Sequence, residues 1–458
     1  MKLKLKAMLG GLILTTIFFA ACSNNLDLTT NYLDQENTAD EFSLPITQIE
    51  SYFNQVREIL YGDDGELWGQ NLYGPMLIID PETLDTVANQ PDNEGILTRA
   101  GNVYVGRFSE DAFVANSVTT FGGKDWSMVM WPLPYDENSR NVLMVHEMFH
   151  NKQGALNLLP NDITDLVYDN SHMDTLEARL SIQLELNALL AALKSDGEER
   201  LAAIQDVLSI RYGRREQFSS GDSENILEIH EGLPEYTALR LIYSSTEELK
   251  AHIASEFDTR FSAQPSFVRN FAYFTVPIYG LLLDAGDLNW RQHVRYDTDL
   301  GELLRNACNL QEFNPQSVLT EEILNKYGYV EIRERELAIQ QERDEIVAYY
   351  RDKFTDRPTL IIPVIDMDGF RFTFDPHAVR HVPDLGAVYP TAEMMDTWGH
   401  LVVHEGGSLI IVELMQIIVT ADDLSIEENV VAGAGWTLFL NDGYTVTSDD
   451  EGNFVVNK

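Results

Sequence analysis

The segment His146-Glu147-Met148-Phe149-His150 constrains this chain more than any other part of it. Residues four apart lie on the same face of an α-helix, so both imidazoles can bind a single metal ion. Glu147 lies beside that face, where it can reach a water on the same ion. The uncharged residues around the histidines predict a buried helix that holds the ion rigidly. The alternative is a core helix whose two histidines bind nothing.

The N-terminus predicts export and a lipid anchor. Three lysines precede an apolar run over residues 7–20, which is too short to span a bilayer stably as a helix. The run ends in Phe-Ala-Ala-Cys22, which resembles the lipobox of bacterial lipoproteins. The resemblance implies a signal peptide over 1–21, lipidation of Cys22 and a flexible tether over 22–39. Because Ser23 rather than Asp follows the cysteine, it also implies a cell-envelope location at the outer membrane. An ordinary secretory signal with an incidental cysteine is the alternative.

Charge and cysteine content limit the partners. The formal net charge is −41 at pH 7, which argues against nucleic acid and anionic lipid headgroups as partners. Cationic peptides are compatible with this charge, but solubility explains it equally well. Of the two cysteines, only Cys308 remains once Cys22 is lipidated, so no disulfide is expected.

Periodicity along the chain predicts an α+β fold. Strand patterns with turn residues between them precede the His146 helix, and residues 174–353 are almost wholly helical. Short strands return after Pro358, where Asn441-Asp442-Gly443 is a turn signal. We therefore expect one domain over 40–357, with a small mixed sheet and a mostly helical core, and a β-rich domain over 358–458.

Two histidines need a third protein ligand to make a catalytic zinc site. The metzincin pattern requires a glycine and a histidine where this chain has Gln153 and Leu156, which excludes that class. A downstream glutamate is the other common ligand. The chain offers four candidates: Glu177, Glu185, Glu231 and Glu235.

The segment Glu231-Gly-Leu-Pro-Glu-Tyr236 resembles the third-ligand segment of gluzincin peptidases related to aminopeptidase N. The resemblance implies that Glu231 binds one zinc ion together with the two histidines. It also implies that Glu147 is the general base and that Glu235, one turn on, supports the site from outside the ligand set. The region over 40–357 would then be a gluzincin-like metallopeptidase domain.

Oxyanion stabilisation has several candidates. The family takes a tyrosine from a later Y-x-x-G helix, and Tyr273-Phe-Thr-Val276 holds a similar place, with Val276 where the family has glycine. Tyr279 is the next candidate, and His230 is a further possible donor. The amine-binding G-x-M-E-N segment of the aminopeptidases has no counterpart between residues 122 and 131. Exopeptidase action is therefore unsupported.

One feature competes with this interpretation, and a second should not be mistaken for another site. Glu185 is the rival third ligand, because polar residues interrupt the apolar helical stripe that begins at Leu176. The histidines outside the motif, His377, His381, His400 and His404, are interpreted as surface or structural residues.

The sequence thus predicts a lipid-anchored zinc metallopeptidase that acts on a peptide or protein substrate. Its membrane contact would be the N-terminal lipid. The strand over residues 126–131 is expected to be the sheet edge that pairs with an extended peptide. The alternatives are a non-catalytic surface lipoprotein with a peptidase-like fold and a metal-dependent hydrolase of a non-peptide bond.

Overall fold

The computed structural model describes residues 42–109, 114–160, 169–261, 264–286, 289–311, 320–366, 369–374, 378–411, 414–449 and 452–458. The predicted signal peptide, Cys22 and the predicted tether lie outside the described residues, as does His377. Within the described ranges, none of the helices combines the length and the apolar character needed to cross a bilayer.

A helix and a mixed sheet form the first part of the described chain. Helix α1 spans Ile46–Asp63 and buries one apolar face that includes Phe53 and Val56. The strands that follow are β1 Met76–Ile79, β2 Asp85–Ala88, β3 Thr98–Ala100, β4 Val103–Arg107, β5 Ser117–Phe121 and β6 Lys124–Met130. Their order is β3-β4-β2-β1-β6-β5, with β1 and β6 parallel and the other pairs antiparallel.

Strand β6 corrects one expectation. It lies between β1 and β5, so the expectation that residues 126–131 form a sheet edge is wrong. The burial of β6 explains its position, because every residue from Trp126 to Met130 is buried, on both faces of the strand. Both hydrogen-bonding sides of β6 are occupied, one by β1 and the other by β5, so neither is open to a peptide. Beyond β6 the edge of the sheet is β5.

A helical core follows the sheet. Its α-helices are α2 Glu137–Lys152, α3 Leu176–Lys194, α4 Gly197–Phe218, α5 Gly221–Leu227, α6 Leu233–Ile242, α7 Thr246–Glu256, α8 Phe271–Asp284, α9 Leu300–Ala307, α10 Glu321–Lys326 and α11 Tyr329–Arg351. Short 3₁₀ turns at Ser171–Asp174 and Trp290–His293, and π turns at Glu228–Gly232, Phe257–Phe261 and Asp352–Asp356, join or extend them. Helix α2 packs on β6 and on α6, while α8 packs on α6 and α3. One continuous apolar core, from Leu44 to Ile332, unites the helices up to the first turn of α11.

Buried ion pairs connect α3, α4, α5 and the π turn that follows α5. Arg214 of α4 donates to Glu185 at 2.5 Å and to Glu224 at 2.8 Å. Arg211 donates to both carboxylate oxygens of Glu228, at 2.7 and 2.6 Å. Burial alone would raise the pKa of Glu224, but Arg214 and Arg215 hold it well below its usual value. These pairs fix the register of the helices around the π turn.

The chain divides into two compact units between Glu336 and Leu337, within α11. The second unit is rich in β-structure. Its strands are β7 Thr359–Pro363, β8 Arg371–Phe374, β9 Arg380–Val382, β10 Gly386–Tyr389, β11 Ala392–Asp396, β12 Gly399–Val403, β13 Ser408–Ile411, β14 Gln416–Thr420, β15 Ser425–Glu427, β16 Val430–Gly433, β17 Trp436–Leu440, β18 Thr445–Ser448 and β19 Phe454–Asn457. They form two sheets, with orders β18-β19-β7-β14-β13-β10-β9 and β15-β16-β17-β12-β11-β8. Apolar side chains from both sheets share one core. The predicted α+β fold is confirmed.

Candidate functional site

Helix α2 carries the two histidines and begins at a well-formed cap. The side chain of Asp136 accepts a hydrogen bond from Ser139 N at 2.8 Å, and the acidic Glu137 lies in the first turn. Both features stabilise a helix N-terminus. The middle of the helix is buried, with His146 4 % and Glu147 2 % exposed. Such burial of ionisable groups is costly unless they are paired or bind an ion.

Three ligand atoms converge beside this helix. His146 Nε2 and His150 Nε2 lie 3.1 Å apart, and Glu231 Oε2 lies 3.8 Å from the first and 3.7 Å from the second. In the plane of the three atoms, the point equidistant from them is about 2.1 Å from each, close to the usual 2.0–2.2 Å of Zn–N and Zn–O bonds. Among the described residues this trio is the group of His, Cys, Asp and Glu side chains that could hold a metal ion.

A π turn brings Glu231 to the histidines. Helix α5 continues through Glu228–Gly232 into α6, and the turn between them is wider than an α-helical turn. Residues three apart share a face of an α-helix, whereas a π turn separates them further around the axis. Glu228 consequently bonds Arg211, while Glu231 faces the histidines. Both glutamates are fully buried.

Gly232 allows α8 to approach this π turn. A Cβ atom at position 232 would lie 2.3 Å from Val276 Cγ2 and 2.9 Å from the carbonyl oxygen of Ala272, so no larger residue fits. Val276 fills the space that Gly232 leaves.

The outer nitrogens of both histidines have hydrogen-bond partners. His146 Nδ1 lies 3.1 Å from Glu235 Oε2, and His150 Nδ1 lies 2.9 Å from Gln153 Oε1. A carboxylate and an amide oxygen only accept, so each Nδ1 donates and each Nε2 is left to bind a metal. Sequence reasoning placed Glu235 beside the ligands but gave Gln153 no role. Its position three residues after His150 was the available signal, because such residues are neighbours on a helix.

The Glu231 carboxylate is held by three further side chains. Tyr273 Oη donates to Oε2 at 2.7 Å, and the tyrosine ring stacks on His146 with centroids 5.5 Å apart. His230 Nδ1 and Arg269 Nη2 lie 3.2 and 3.3 Å from Oε1. Burial alone would raise the pKa of Glu231, but the neighbouring His146 and His230 hold it well below its usual value. The carboxylate is thus ionised, with Oε2 directed at the histidines.

Glu147 is the acid of the site that keeps one oxygen unpaired among the described residues. Its Oε2 atom is buried and has no hydrogen-bond partner among the described residues. Burial raises the pKa of Glu147 to about 8; the charge on His146 opposes this rise and that on Glu231 adds to it. A buried carboxyl group with one unpaired oxygen beside three ligand atoms is suited to exchange a proton with a small molecule bound there.

The two histidines differ in charge when no metal is bound. Burial lowers the pKa of His146, but Glu231 and Glu235 outweigh it and raise the value to about 10. Burial lowers the pKa of His150 to about 3, despite the attraction of Glu231. At neutral pH, His146 therefore carries a proton that a metal ion must displace.

The rival ligands lie elsewhere. Glu185 Oε1 accepts from Tyr279 Oη at 2.8 Å and its Oε2 is held by Arg214, so neither residue faces the histidines of α2. Glu177 is exposed on α3. In the β-rich unit, His400 lies 3.4 Å from Glu393, and His404 is exposed.

Comparison of the chain with protein-family models, curated proteins and solved structures finds no match.

Proposed function

We propose that this chain is a lipid-anchored, zinc-dependent metallopeptidase. The observation that carries the proposal is the convergence of His146 Nε2, His150 Nε2 and Glu231 Oε2 beside the unpaired Oε2 of Glu147. Two imidazoles and one carboxylate form a common ligand set of catalytic zinc, which keeps a further position for water. The resemblance to gluzincin peptidases supports the same assignment.

Glu147 is the proton carrier of the proposed reaction. When bound, zinc polarises the scissile carbonyl and lowers the pKa of a water towards neutrality. Nearby positive charge favours the ionised form of a carboxyl group, so Glu147 becomes a base in the loaded protein. It then accepts the proton of the attacking water and returns it to the leaving amine.

His230 and Tyr273 are proposed to stabilise the oxyanion and to hold Glu231 in place. His230 lies 3.2 Å from Glu231 Oε1 through Nδ1 and is 20 % exposed, and in its protonated form its Nε2–H would donate to the oxyanion of the peptide. The hydroxyl of Tyr273 donates its hydrogen bond to Glu231. We therefore propose that Tyr273 mainly holds this ligand in place and that stabilising the oxyanion is its second role. Glu235 and Gln153 orient the two histidines.

The N-terminal sequence supports the place of action. A lipid on Cys22 would attach the protein to the outer membrane within the cell envelope, with peptides or proteins as its substrates. The segment with which aminopeptidases bind the free amine of a substrate has no counterpart between residues 122 and 131, so we propose no preference for free N-termini. The net charge of −41 supports neither nucleic acid nor anionic lipid as a partner.

Metal analysis together with Glu147→Gln tests the proposal. Wild type should carry one zinc per chain and cleave members of a broad peptide library. Glu147→Gln should retain the zinc and lose roughly 10²- to 10⁴-fold in kcat, as expected for a general base. Glu177→Gln makes the same chemical change on an exposed face of α3 and should alter neither property.

Each other outcome of that experiment argues against the proposal. A wild type without stoichiometric zinc overturns the metal centre. Zinc without peptide cleavage favours hydrolysis of a non-peptide bond or a non-catalytic surface lipoprotein. Equal cleavage by wild type and Glu147→Gln removes Glu147 from the mechanism.

A further inference from the structure

Gln153 is a buried polar residue at the end of the histidine helix. It follows Lys152 as the C-cap of α2, and its backbone N–H bonds the carbonyl oxygen of His150 at 3.3 Å. Only 1 % of the residue is exposed. A buried amide needs hydrogen-bond partners for both its oxygen and its nitrogen, since leaving either unpaired is costly.

The side chain of Gln153 meets that need by connecting two segments of the site. Its Oε1 lies 2.9 Å from His150 Nδ1. Its Nε2 donates to the carbonyl oxygens of His230 at 2.8 Å and Ile229 at 3.3 Å. The two carbonyls fix which end of the amide is which, because a carbonyl oxygen can only accept. His150 Nδ1 must then be the donor to Oε1, and its Nε2 faces the other ligands.

The two carbonyls belong to the π turn Glu228–Gly232 that carries Glu231. One amide therefore fixes the ring nitrogen that His150 presents and also ties the π turn to the end of α2. The first contact acts on one ligand. The second acts on the separation between His150 Nε2 and Glu231 Oε2, which is 3.7 Å.

We propose that Gln153 is a positioning residue that sets the metal affinity of the site through these two separable contacts. The inference rests on the proposed metal centre and deepens it. Outer partners of metal-binding histidines commonly contribute about 10- to 100-fold to metal affinity. The acceptor contact acts on the tautomer of His150, whereas the donor contacts act on the placement of Glu231.

Two substitutions separate the contacts. Gln153→Met keeps the length of the side chain and removes both the acceptor and the donor. Gln153→Glu keeps an acceptor for His150 Nδ1 but cannot donate to the carbonyls of the π turn. Gln183→Met is the matched control, because Gln183 is 2 % exposed and its Nε2 donates to Arg179 O at 2.9 Å and Glu336 Oε1 at 2.7 Å. That control loses a comparable buried amide on α3, away from the ligands.

The experiment is a zinc titration of the metal-stripped proteins against a chromophoric chelator, with melting temperatures of the metal-free forms and absorption spectra of the cobalt-substituted forms. Gln153→Met should bind zinc about 10- to 100-fold more weakly than wild type and change the cobalt spectrum. Gln153→Glu should bind at least about fivefold more tightly than Gln153→Met, and its metal-free form should melt below wild type. Gln183→Met should melt lower but bind zinc like wild type.

The outcomes that overturn the inference are distinct from those that overturn the metal centre. If Gln153→Met binds zinc as wild type does, or if Gln183→Met loses as much affinity, Gln153 has no positioning role. Equal zinc affinities of Gln153→Met and Gln153→Glu overturn the tautomer contact. Where Gln153→Met does not fold, the tautomer contact is overturned if Gln153→Glu binds zinc no more tightly than the denatured wild-type chain does. Failure of wild type to bind zinc overturns both proposals.

Discussion

Zinc binding to the metal-free protein is expected to release protons in a number that changes with pH. Glu231 and Glu235 overcome burial and raise the pKa of His146 to about 10, so that its ring is protonated at pH 7. Burial raises the pKa of Glu147 to about 8, so at pH 7 that carboxyl is about nine-tenths protonated. His150, with its pKa lowered to about 3 chiefly by burial, has no proton to lose.

The magnitudes follow from these values. Removing the proton of His146 at pH 7 spans about three pH units at 1.36 kcal/mol each, or about 4 kcal/mol, which weakens apparent zinc affinity about 10³-fold. Affinity should therefore rise about tenfold per pH unit from this group alone until pH approaches 10. Ionisation of Glu147 adds a second proton below about pH 8. These two side chains together should release almost two protons per zinc at pH 7 and about one at pH 9, and ionisation of the bound water adds to both numbers.

The assay is isothermal titration calorimetry in pairs of buffers that differ in ionisation enthalpy. The apparent binding enthalpy changes with buffer enthalpy in proportion to the protons released. Glu147→Gln is the control, because it should release about one proton fewer than wild type at pH 7 and about as many as wild type at pH 9. If wild type and Glu147→Gln both release none at pH 7, His146 is neutral in the metal-free protein and the reasoning is refuted.

Four further outcomes are expected. Glu185→Ala should lower the free energy of unfolding by about 3–5 kcal/mol in denaturant titrations, because it removes one of the carboxylates that neutralise the buried Arg211 and Arg214. Zinc stoichiometry should stay at one, and a loss of zinc would instead identify Glu185 as a ligand. Tyr273→Phe should weaken zinc binding severalfold through the lost 2.7 Å bond to Glu231, and a fall in kcat at unchanged zinc affinity would show an oxyanion role instead. Gly232→Ala should lower the melting temperature, and adding Val276→Gly should recover part of the loss in a double-mutant cycle; full additivity would mean that the two positions do not clash. The melting temperature of the metal-free protein should fall as pH rises from 7 to 10. The pKa of His146 is raised from 6.5 in the unfolded chain to about 10 in the fold, so the stability that its proton contributes is complete below pH 6.5 and is lost as pH rises through about 10. A melting temperature that does not change with pH would contradict that pKa.

Many of the site residues could be predicted from short segments of the sequence. Four-residue spacing on one helix was enough to place His146 and His150 together, because helical geometry is independent of the rest of the fold. The resemblance of the segment 231–236 to gluzincin peptidases pointed to Glu231, which the structure brings within 4 Å of both histidines. The rival Glu185 illustrates the limit of such reasoning. A buried glutamate on an apolar helix has the same local sequence signature whether its partner is a metal or, as here, arginines more than twenty residues away.

The sheet shows a second limit. Strand β6 was recognisable as a strand, but its neighbours β1 and β5 were not readable from its sequence. Pairing partners are set by contacts between distant segments, and β1 lies more than forty residues before β6. A continuous run of buried residues was the available clue that β6 is an inner strand.

The sequence by itself determined the elements whose causes are local: the capped helix with its two histidines, the helical middle of the chain, and the alternating strands after Pro358. Only the tertiary structure decided which oxygen meets the histidines, which glutamate is neutralised by arginine, and which amide holds His150. The physical reason is that an isolated helix exposes all of its polar groups to water. Burial makes each group find a specific partner, and that partner comes from a segment that is distant in sequence.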